Sequence, residues 1–384
     1  MPAAPGSYAW YVGTLVDGRI THRIPVMNTS WQDVMDDAGT LSAVMPLADR
    51  DVAALRPYVI AEPCRCFLAV AYTDVDATET FLAAGPIWTH SYDDATRELT
   101  IGAAGAWSYY DHRKVLPVLA PGVNPATATS TYTTLSLATI AKRLVQLAHT
   151  HTAGALPIVV PSDEAGTEQR TYPGYEMNVV GQMLRNLTGV ENGPEIQFVP
   201  QRNATDPRFL EWRMRTGTIA QPQLFQAGAD WIWDASVVKG SVSAIKVNRD
   251  GTAMGTRAWV QGSGADVGTL FARADDTTLT AAGFPLLEVQ ESGHDNDTVQ
   301  ATLDAEVAGL LARSLRPVET WTFTVRRDDV PKVSSYAVGD WAAVTVADNH
   351  VYLPAGTYRA RILSRSGDDG PDIDVQLSPT PGGI

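Results

Sequence analysis

The residues best placed to do chemistry are the acids that follow the most apolar segment of the chain. Phe67–Thr78 runs as an apolar strand into Asp74-x-Asp76-x-Thr78. That is the spacing of an aspartyl nucleophile loop, in which one carboxylate attacks phosphate and the second acts as acid and base. The same chemistry needs a parallel sheet with crossover helices and a lysine downstream. Here the strand passes into a short connection and another strand, so the residues favour a solvated acidic turn. Together with Glu79 the two aspartates offer oxygens to Ca²⁺, but a calcium loop takes roughly six to eight oxygen ligands and a Gly at its sharp turn.

Other candidates resolve in the same direction. His149 and His151 in His-Thr-His fall at a helix end, where imidazoles complement the C-terminal dipole, and no third metal ligand can be placed beside them. The segment His294-Asp295-Asn296-Asp297 reads as a loop leading into a helix cap. Gly262-Ser263-Gly264 lacks the Gly-x-Ser-x-Gly frame of a nucleophile elbow. Paired acids recur at 36–37, 93–94, 275–276, 328–329 and 368–369 without the marks of a glycosidase dyad. Gly-rich phosphate loops are absent. Cys64 and Cys66, two apart at the head of a strand, are expected to face one side as buried free thiols, since a bridge between them would be strained. The expectation is no catalytic residue, no metal site, no cofactor and no enzymatic activity.

Composition sets the frame for these residues. At 384 residues the chain exceeds one ordinary core, so two to four domains are expected. Lys and Arg total 29 against 43 Asp and Glu, a net charge of −14, and no basic stripe survives to bind nucleic acid by sequence. No apolar run is long enough for a membrane-spanning helix, and the first residues lack the pattern of a signal peptide. The 31 Gly and 24 Pro suit many short strands joined by turns. Ten tryptophans lie in or beside strands, as core residues or subunit contacts.

The elements that would carry these residues are mainly strands. Ala9–Val16 and Arg19–Val26 flank Asp17-Gly18, a strong hairpin signal. Leu41–Leu47, Arg65–Thr73, Thr80–Thr89 and Arg97–Gly102 complete six strands, with one helical turn over Ser30–Met35 capped by Ser30 or Asp33. After a linker at Leu119–Thr131, Leu137, Ile140, Leu144 and Leu147 repeat at helical spacing over Ser136–His149. A second helix is expected over Tyr175–Thr188 with Gly189 as its stop. Strands follow at Glu195–Val199, Phe209–Arg215 and Leu224–Ala227. A third helix, from about Thr298 to Ser314, opens on the box Asp297-x-x-Gln300 and ends before Pro317. These readings divide the chain into a first β module, a small barrel or sandwich, at 1–120, a linker and inserted α+β domain at 121–235, a second β module from 236–261 plus 317–384, and a small one-helix insertion at 262–316.

The two β regions also echo each other. Phe67–Asp74 followed by Phe81–Gly85 matches Trp341–Asp348 followed by Tyr352–Gly356, with identical columns at Val70/Val344, Asp74/Asp348, Leu82/Leu353 and Gly85/Gly356. Each copy runs on to a paired acid, Asp93-Asp94 or Asp368-Asp369, and a final alternating strand. Two related modules per chain would let three chains present six similar surfaces.

The series Gly13-Thr-Leu-x-Asp, Ser30-Trp, Ala84-Gly-Pro-Ile, Tyr-Asp-Asp…Arg-x-Leu-Thr-Ile and Gly339-Asp340-Trp341, with the Tyr-Arg-x-Arg-Ile strand after it, resembles the minor tail proteins of long-tailed actinobacteriophages. That group is similar to the tail hub proteins of other long tails and contractile tails. The resemblance implies a mainly β, multidomain chain with an α+β insertion and two related small β-barrels. It implies a homotrimeric virion hub at the tail tip that adapts the six-fold tube to a three-fold tip and closes the tail until DNA release. The implied partners are further copies of itself, a hexameric distal tail protein, the tape-measure protein, and other minor tail or central fibre proteins, with DNA passing through the lumen. Assembly would take place in the host cytoplasm. Exposed Trp and Asp on β modules also suit a carbohydrate-binding receptor protein, and a cell-wall hydrolase is the remaining, weakly supported reading.

Overall fold

The computed structural model describes residues 6–190, 192–236, 240–291 and 300–379. It divides into two units, Met1–Ile245 with Thr322–Ile384, and Lys246–Trp321.

The first β module of the larger unit holds β1 (Ser7–Thr14), β2 (Ile20–Ile24), β3 (Met27–Val34), β4 (Thr40–Pro46), β5 (Cys66–Thr73), β6 (Glu79–Asp93) and β7 (Glu98–Ala104), with the single turns α1 (Arg50–Ala54) and α2 (Pro57–Ile60) before β5. The strands lie in the order β3-β4-β7-β6-β5-β1-β2. Gly18 closes the first hairpin at φ +73°, and a Cβ there would stand 2.0 Å from the Leu210 carbonyl oxygen, so both conformation and space require glycine. β5 is buried at all eight positions, which fits a run with almost no polar residue. The long β6 serves two partners: its first half pairs with β5, and from Ile87 onward it pairs with β7.

Two expectations fail here for identifiable reasons. Ser30–Met35 is not a helical turn, because β3 runs through it. Trp31 pairs with Leu41 on one side and Gly367 on the other and is 1% exposed, so sheet pairing overrides the local cap signals. Cys64 and Cys66 do not share a face: Cys64 is exposed at φ +63°, ahead of the strand, and only Cys66 is buried.

The middle of the chain carries α3 (Trp107–Tyr110), the ribbon β8 (Thr129–Leu135) and β10 (Ala165–Pro173), α4 (Leu137–His149), β9 (Ile158–Val159), α5 (Val180–Thr188), β11 (Ile196–Arg202) and β12 (Leu210–Thr216). α4 starts where expected, with the Ser136 hydroxyl accepting the Thr139 N–H at 3.1 Å. α5 begins five residues later than expected, because Gly174–Glu176 forms a separate 3₁₀ turn that ends at Met177 with φ +52°. This middle segment does not have a core of its own. Phe67 of β5 packs edge-on against Trp212 with centroids 6.1 Å apart, and the Trp212 indole N–H donates to the Ala84 carbonyl at 3.0 Å. A single core cluster runs from Ala9 and Phe67 to Leu144, Leu184 and Trp212, across the expected boundary at 120–121.

The second β module is built from β13 (Trp231–Ala235), β14 (Val242–Asp250), β18 (Val318–Arg326), β19 (Trp341–Val346), β20 (Gly356–Gly367) and β21 (Asp372–Pro379). Its spatial order is β13-β19-β20-β21-β18-β14. In chain order and in space this matches β1-β5-β6-β7-β4-β3 of the first module. The first strand differs in direction, since β1 is antiparallel to β5 and β13 is parallel to β19. The repeated residues do not all keep step with the strands. Leu82 and Gly85 lie inside β6, whereas Leu353 lies in the loop before β20 and Gly356 is its first residue. β20 also pairs with β3 through Ser364–Gly367, so 13 strands form one connected sheet rather than two separate ones.

The smaller unit holds β15 (Arg257–Gln261), β16 (Phe271–Asp275), α6 (Thr277–Ala281), β17 (Glu288–Glu291) and α7 (Gln300–Ser314). Its sheet order is β16-β15-β17. Arg257–Gln261, expected in the second β-barrel, pairs only within this unit, while Trp231–Ala235, expected in the α+β segment, joins the second module. The expected cap at Asp297, the loop His294–Asp297 and the tail beyond Pro379 lie outside the described residues.

Candidate functional site

The acids after β5 each have a separate structural partner. One Asp74 oxygen accepts the N–H groups of Asp76 at 2.9 Å and Thr78 at 3.0 Å, which closes the turn. Asp76 pairs with Lys332 at 2.8 Å. Glu79 takes the Tyr11 hydroxyl at 2.5 Å and the Arg202 guanidinium at 2.6 Å. The three carboxylates are thereby directed to three different places. Among the described residues no group of three or more His, Cys, Asp and Glu is gathered as a metal site would require.

His149 departs from its expected role. Burial and the nearby Arg113 guanidinium push its pKa down to about 4, so the ring is neutral and adds no charge to the helix dipole. It hydrogen-bonds the Tyr110 hydroxyl at 2.9 Å instead. Arg113 satisfies the helix end, donating to the Ala148 carbonyl at 2.9 Å. His151 meets the Leu116 carbonyl at 2.9 Å. Of the tryptophans, Trp10, Trp31, Trp107, Trp212, Trp233 and Trp321 are buried, while Trp88, Trp231, Trp259 and Trp341 are half-buried.

The most concentrated chemistry lies where β3, β11 and β20 meet. Arg365 of β20 donates its Nε to Asp33 at 3.1 Å and its Nη1 to the carbonyls of Val333 and Tyr336 at 3.0 and 2.7 Å. Gln197 of β11 donates to both Asp33 oxygens at 3.1 Å, so one carboxylate ties three segments of the chain together. Arg361, 5% exposed, pairs with Glu195 and donates to the Leu224 carbonyl at 2.6 Å. Among the described residues its Nε and Nη1 have no hydrogen-bond partner. Asp36, at φ +57°, accepts the Ile196 N–H at 2.7 Å. Asp340 accepts from the Trp231 indole and the Ala337 N–H, both at 2.9 Å.

Removal from water dominates the electrostatics of this cluster. Burial lifts the Asp33 and Glu195 carboxyls above their ordinary values, against the pull of Arg365 and Arg361. Asp36 rises to about 7, from burial first and then from repulsion by Glu195 and Asp37. Burial lowers Arg361 and Arg215. Paired and partly paired charges of this kind fix how segments fit more than they add stability. Among the described residues the cluster sets no nucleophile beside a base, and its chemistry is that of a rigid joint.

The sequence reading treated Asp33 as a helix cap and Asp36 as one of several acid pairs, and it missed Gln197, Glu195 and Arg365. The one available signal was Arg361 and Arg365, four apart in a strand that otherwise reads as buried.

No family model matches the sequence, and no curated protein does. Solved structures do share its fold. The 43 kDa tail protein of prophage MuSo2 from Shewanella oneidensis superposes with a TM-score of 0.58 at 12% identity, covering 97% of both chains. A tail protein from Neisseria meningitidis gives 0.56 at 16% identity, covering 98% of both. A Francisella PdpA–VgrG complex gives 0.50 at 7% identity, covering 97% of this chain and 58% of that one. The chain shares the fold of these tail proteins: mainly β, in several sheets, with helices in the middle of the chain.

Proposed function

We propose that this chain is a structural component of a phage tail, and more narrowly the homotrimeric hub at the tip of a long tail. The observation that carries the reading is the strand order shared by two β modules of one chain. Three copies then present six similar surfaces to a six-fold tube and three to the tip below. Full-length likeness to two tail proteins supports the wider role. The hexameric distal tail protein, the tape-measure protein and other tip or fibre proteins are the proposed neighbours, with DNA passing through the lumen. A non-enzymatic role is part of the proposal, because the strongest sequence candidates, Asp74, Asp76 and Glu79, are each held in structural bonds. An epitope tag on this chain should place label at the distal tail end of intact virions. Label at the capsid or along the tail shaft, or none on virions, would refute the placement.

A further inference from the structure

The ribbon β8–β10 is a sheet of two strands, so each strand keeps an outer edge with no ladder partner among the described residues. The phase of the ladder shows which backbone groups face that edge. The Gly174 N–H donates to the Ala128 carbonyl at 2.7 Å. From there the register runs Pro173↔Thr129, Tyr172↔Ser130, Thr171↔Thr131, Arg170↔Tyr132 and Gln169↔Thr133. Antiparallel pairs alternate between bonded and non-bonded. Ala128, Ser130 and Tyr132 therefore bond inward to β10, and the N–H and C=O groups of Thr129, Thr131 and Thr133 point outward. All three of these threonines are exposed, while Tyr132 and Leu135 pack against the core.

The two edges of the ribbon are built differently. On β10, Pro173 falls on an outward position and has no N–H to offer. The outward Gln169 carbonyl accepts the Arg170 guanidinium at 2.8 Å, and Glu168 and Arg170 place charges along the strand. Proline and charge are the usual means of blunting a sheet edge. β8 has neither. Its sequence Thr-Ser-Thr-Tyr-Thr-Thr-Leu carries no charge, no Pro and no Gly, and four of its seven residues are β-branched, which makes it a ready template for another strand.

The symmetry of this edge selects its occupant. The outward positions read Thr-x-Thr-x-Thr about Thr131. A second β8 laid antiparallel on that centre sets Thr129 against Thr133, Thr131 against Thr131 and Thr133 against Thr129. Each outward N–H then meets an outward C=O, and each of these cross-strand pairs is the favourable Thr–Thr pair. β8 brings no charge to the contact, so two chains of net charge −14 can approach here without opposing like charges. We propose that two copies of the free chain pair through β8, antiparallel about a two-fold axis at Thr131. The contact is isologous and closes on itself, covering an edge that would otherwise recruit strands at random. A two-fold contact cannot relate neighbours in a three-fold ring, so it belongs to the chain outside the tail, and its failure would leave the hub reading untouched.

The test is sedimentation velocity of the full-length chain from about 5 to 500 µM, the range in which so small a contact associates. Dimer should appear as concentration rises. Thr131→Pro removes an outward N–H and leaves the bonds to β10, and Thr131→Lys sets two ammonium groups at the axis. Each should weaken dimerisation about tenfold or more, whereas Gln169→Lys on the β10 edge should not change it. A nitroxide on Thr131→Cys, in a Cys64→Ser background, should show dipolar broadening in the dimer, because the two labels face each other. A chain that stays monomeric throughout, a dimer or trimer indifferent to Thr131→Lys, or a dimer whose labels do not couple would each overturn the proposal. Should Thr131→Pro not fold, Thr131→Lys decides: weakened dimerisation supports the pairing and unchanged dimerisation removes it.

Discussion

The two β modules follow one strand plan and stabilise it differently. In the first, β5 is buried at every position and shares a continuous core with the helices of the middle segment. In the second, the equivalent β19 alternates buried and half-buried residues, and the interior beside β20 is braced by Arg361 and Arg365. Apolar burial is non-directional, so the first module tolerates slip until its shapes interlock. Charged hydrogen bonds are directional, so the joint at Asp33 specifies one register of β20 against β3. One plan therefore yields a module sealed by packing and a module positioned by polar contacts.

The largest contrast should come from the same substitution made in the two equivalent strands. Ala69→Asp in β5 buries an unpaired carboxylate in an apolar core and should abolish soluble folded protein. Ala343→Asp in β19 sits opposite Arg359 on the half-buried face and should cost under about 1 kcal/mol. Comparable loss from both, by circular dichroism and denaturant unfolding, would break the comparison.

Next in size is the polar joint. Arg365→Ala leaves the buried Asp33 carboxylate without its counter-charge, held by Gln197 alone, frees two carbonyls, and should cost about 3–5 kcal/mol in urea unfolding. A change below about 1 kcal/mol would show that the joint does not brace the second module.

The pH response separates the joint from the apolar core. Asp36 has a folded pKa raised to about 7, so its contribution is fully present below the ordinary carboxylate value and is lost as pH rises through about 7. His149 has the opposite sign: its folded pKa falls to about 4, so its contribution is present above the ordinary imidazole value and is lost as pH falls through about 4. Asp36→Asn keeps an oxygen for the Ile196 N–H and should remove the decline in stability between about pH 4 and 7, as read by thermal melts across that window. An unchanged pH profile in the variant would assign the decline elsewhere.

The smallest effect is expected at the acidic turn. Asp76→Ala removes an exposed pair with Lys332 and should leave the unfolding midpoint close to that of the wild type. Asp74→Ala with Asp76→Ala should leave phosphatase and hydrolase assays where the wild type leaves them. A wild-type activity lost in the double variant would reverse the structural reading of these acids.

What was legible in the sequence was local. The Asp17-Gly18 turn, the apolar period of α4 with its Ser136 cap and the body of α7 each depend on neighbours within a few residues. The misread parts depend on distant partners. β3 carries Ser30 and Asp33, which look like caps, and becomes a strand only because β4 and β20 flank it. β13 belongs to the second module through a parallel pairing with a strand more than a hundred residues away, which no hairpin signal announces. Asp33, Gln197 and Arg365 come from three regions, so their convergence has no sequence spacing to betray it. The duplication was visible in its strands and misleading in its columns, since Leu353 and Gly356 fall outside the positions of Leu82 and Gly85.

The proposed hub sets two like-ordered β modules per chain, in three copies, against a six-fold tube. Cryo-electron microscopy of the intact tail tip, reconstructed without imposed symmetry, tests it most directly. The account predicts three copies of this chain, with the modules β1–β7 and β13–β21 alternating around the axis in six quasi-equivalent positions. Six copies per tail, or three copies whose two modules occupy unrelated positions, would contradict it.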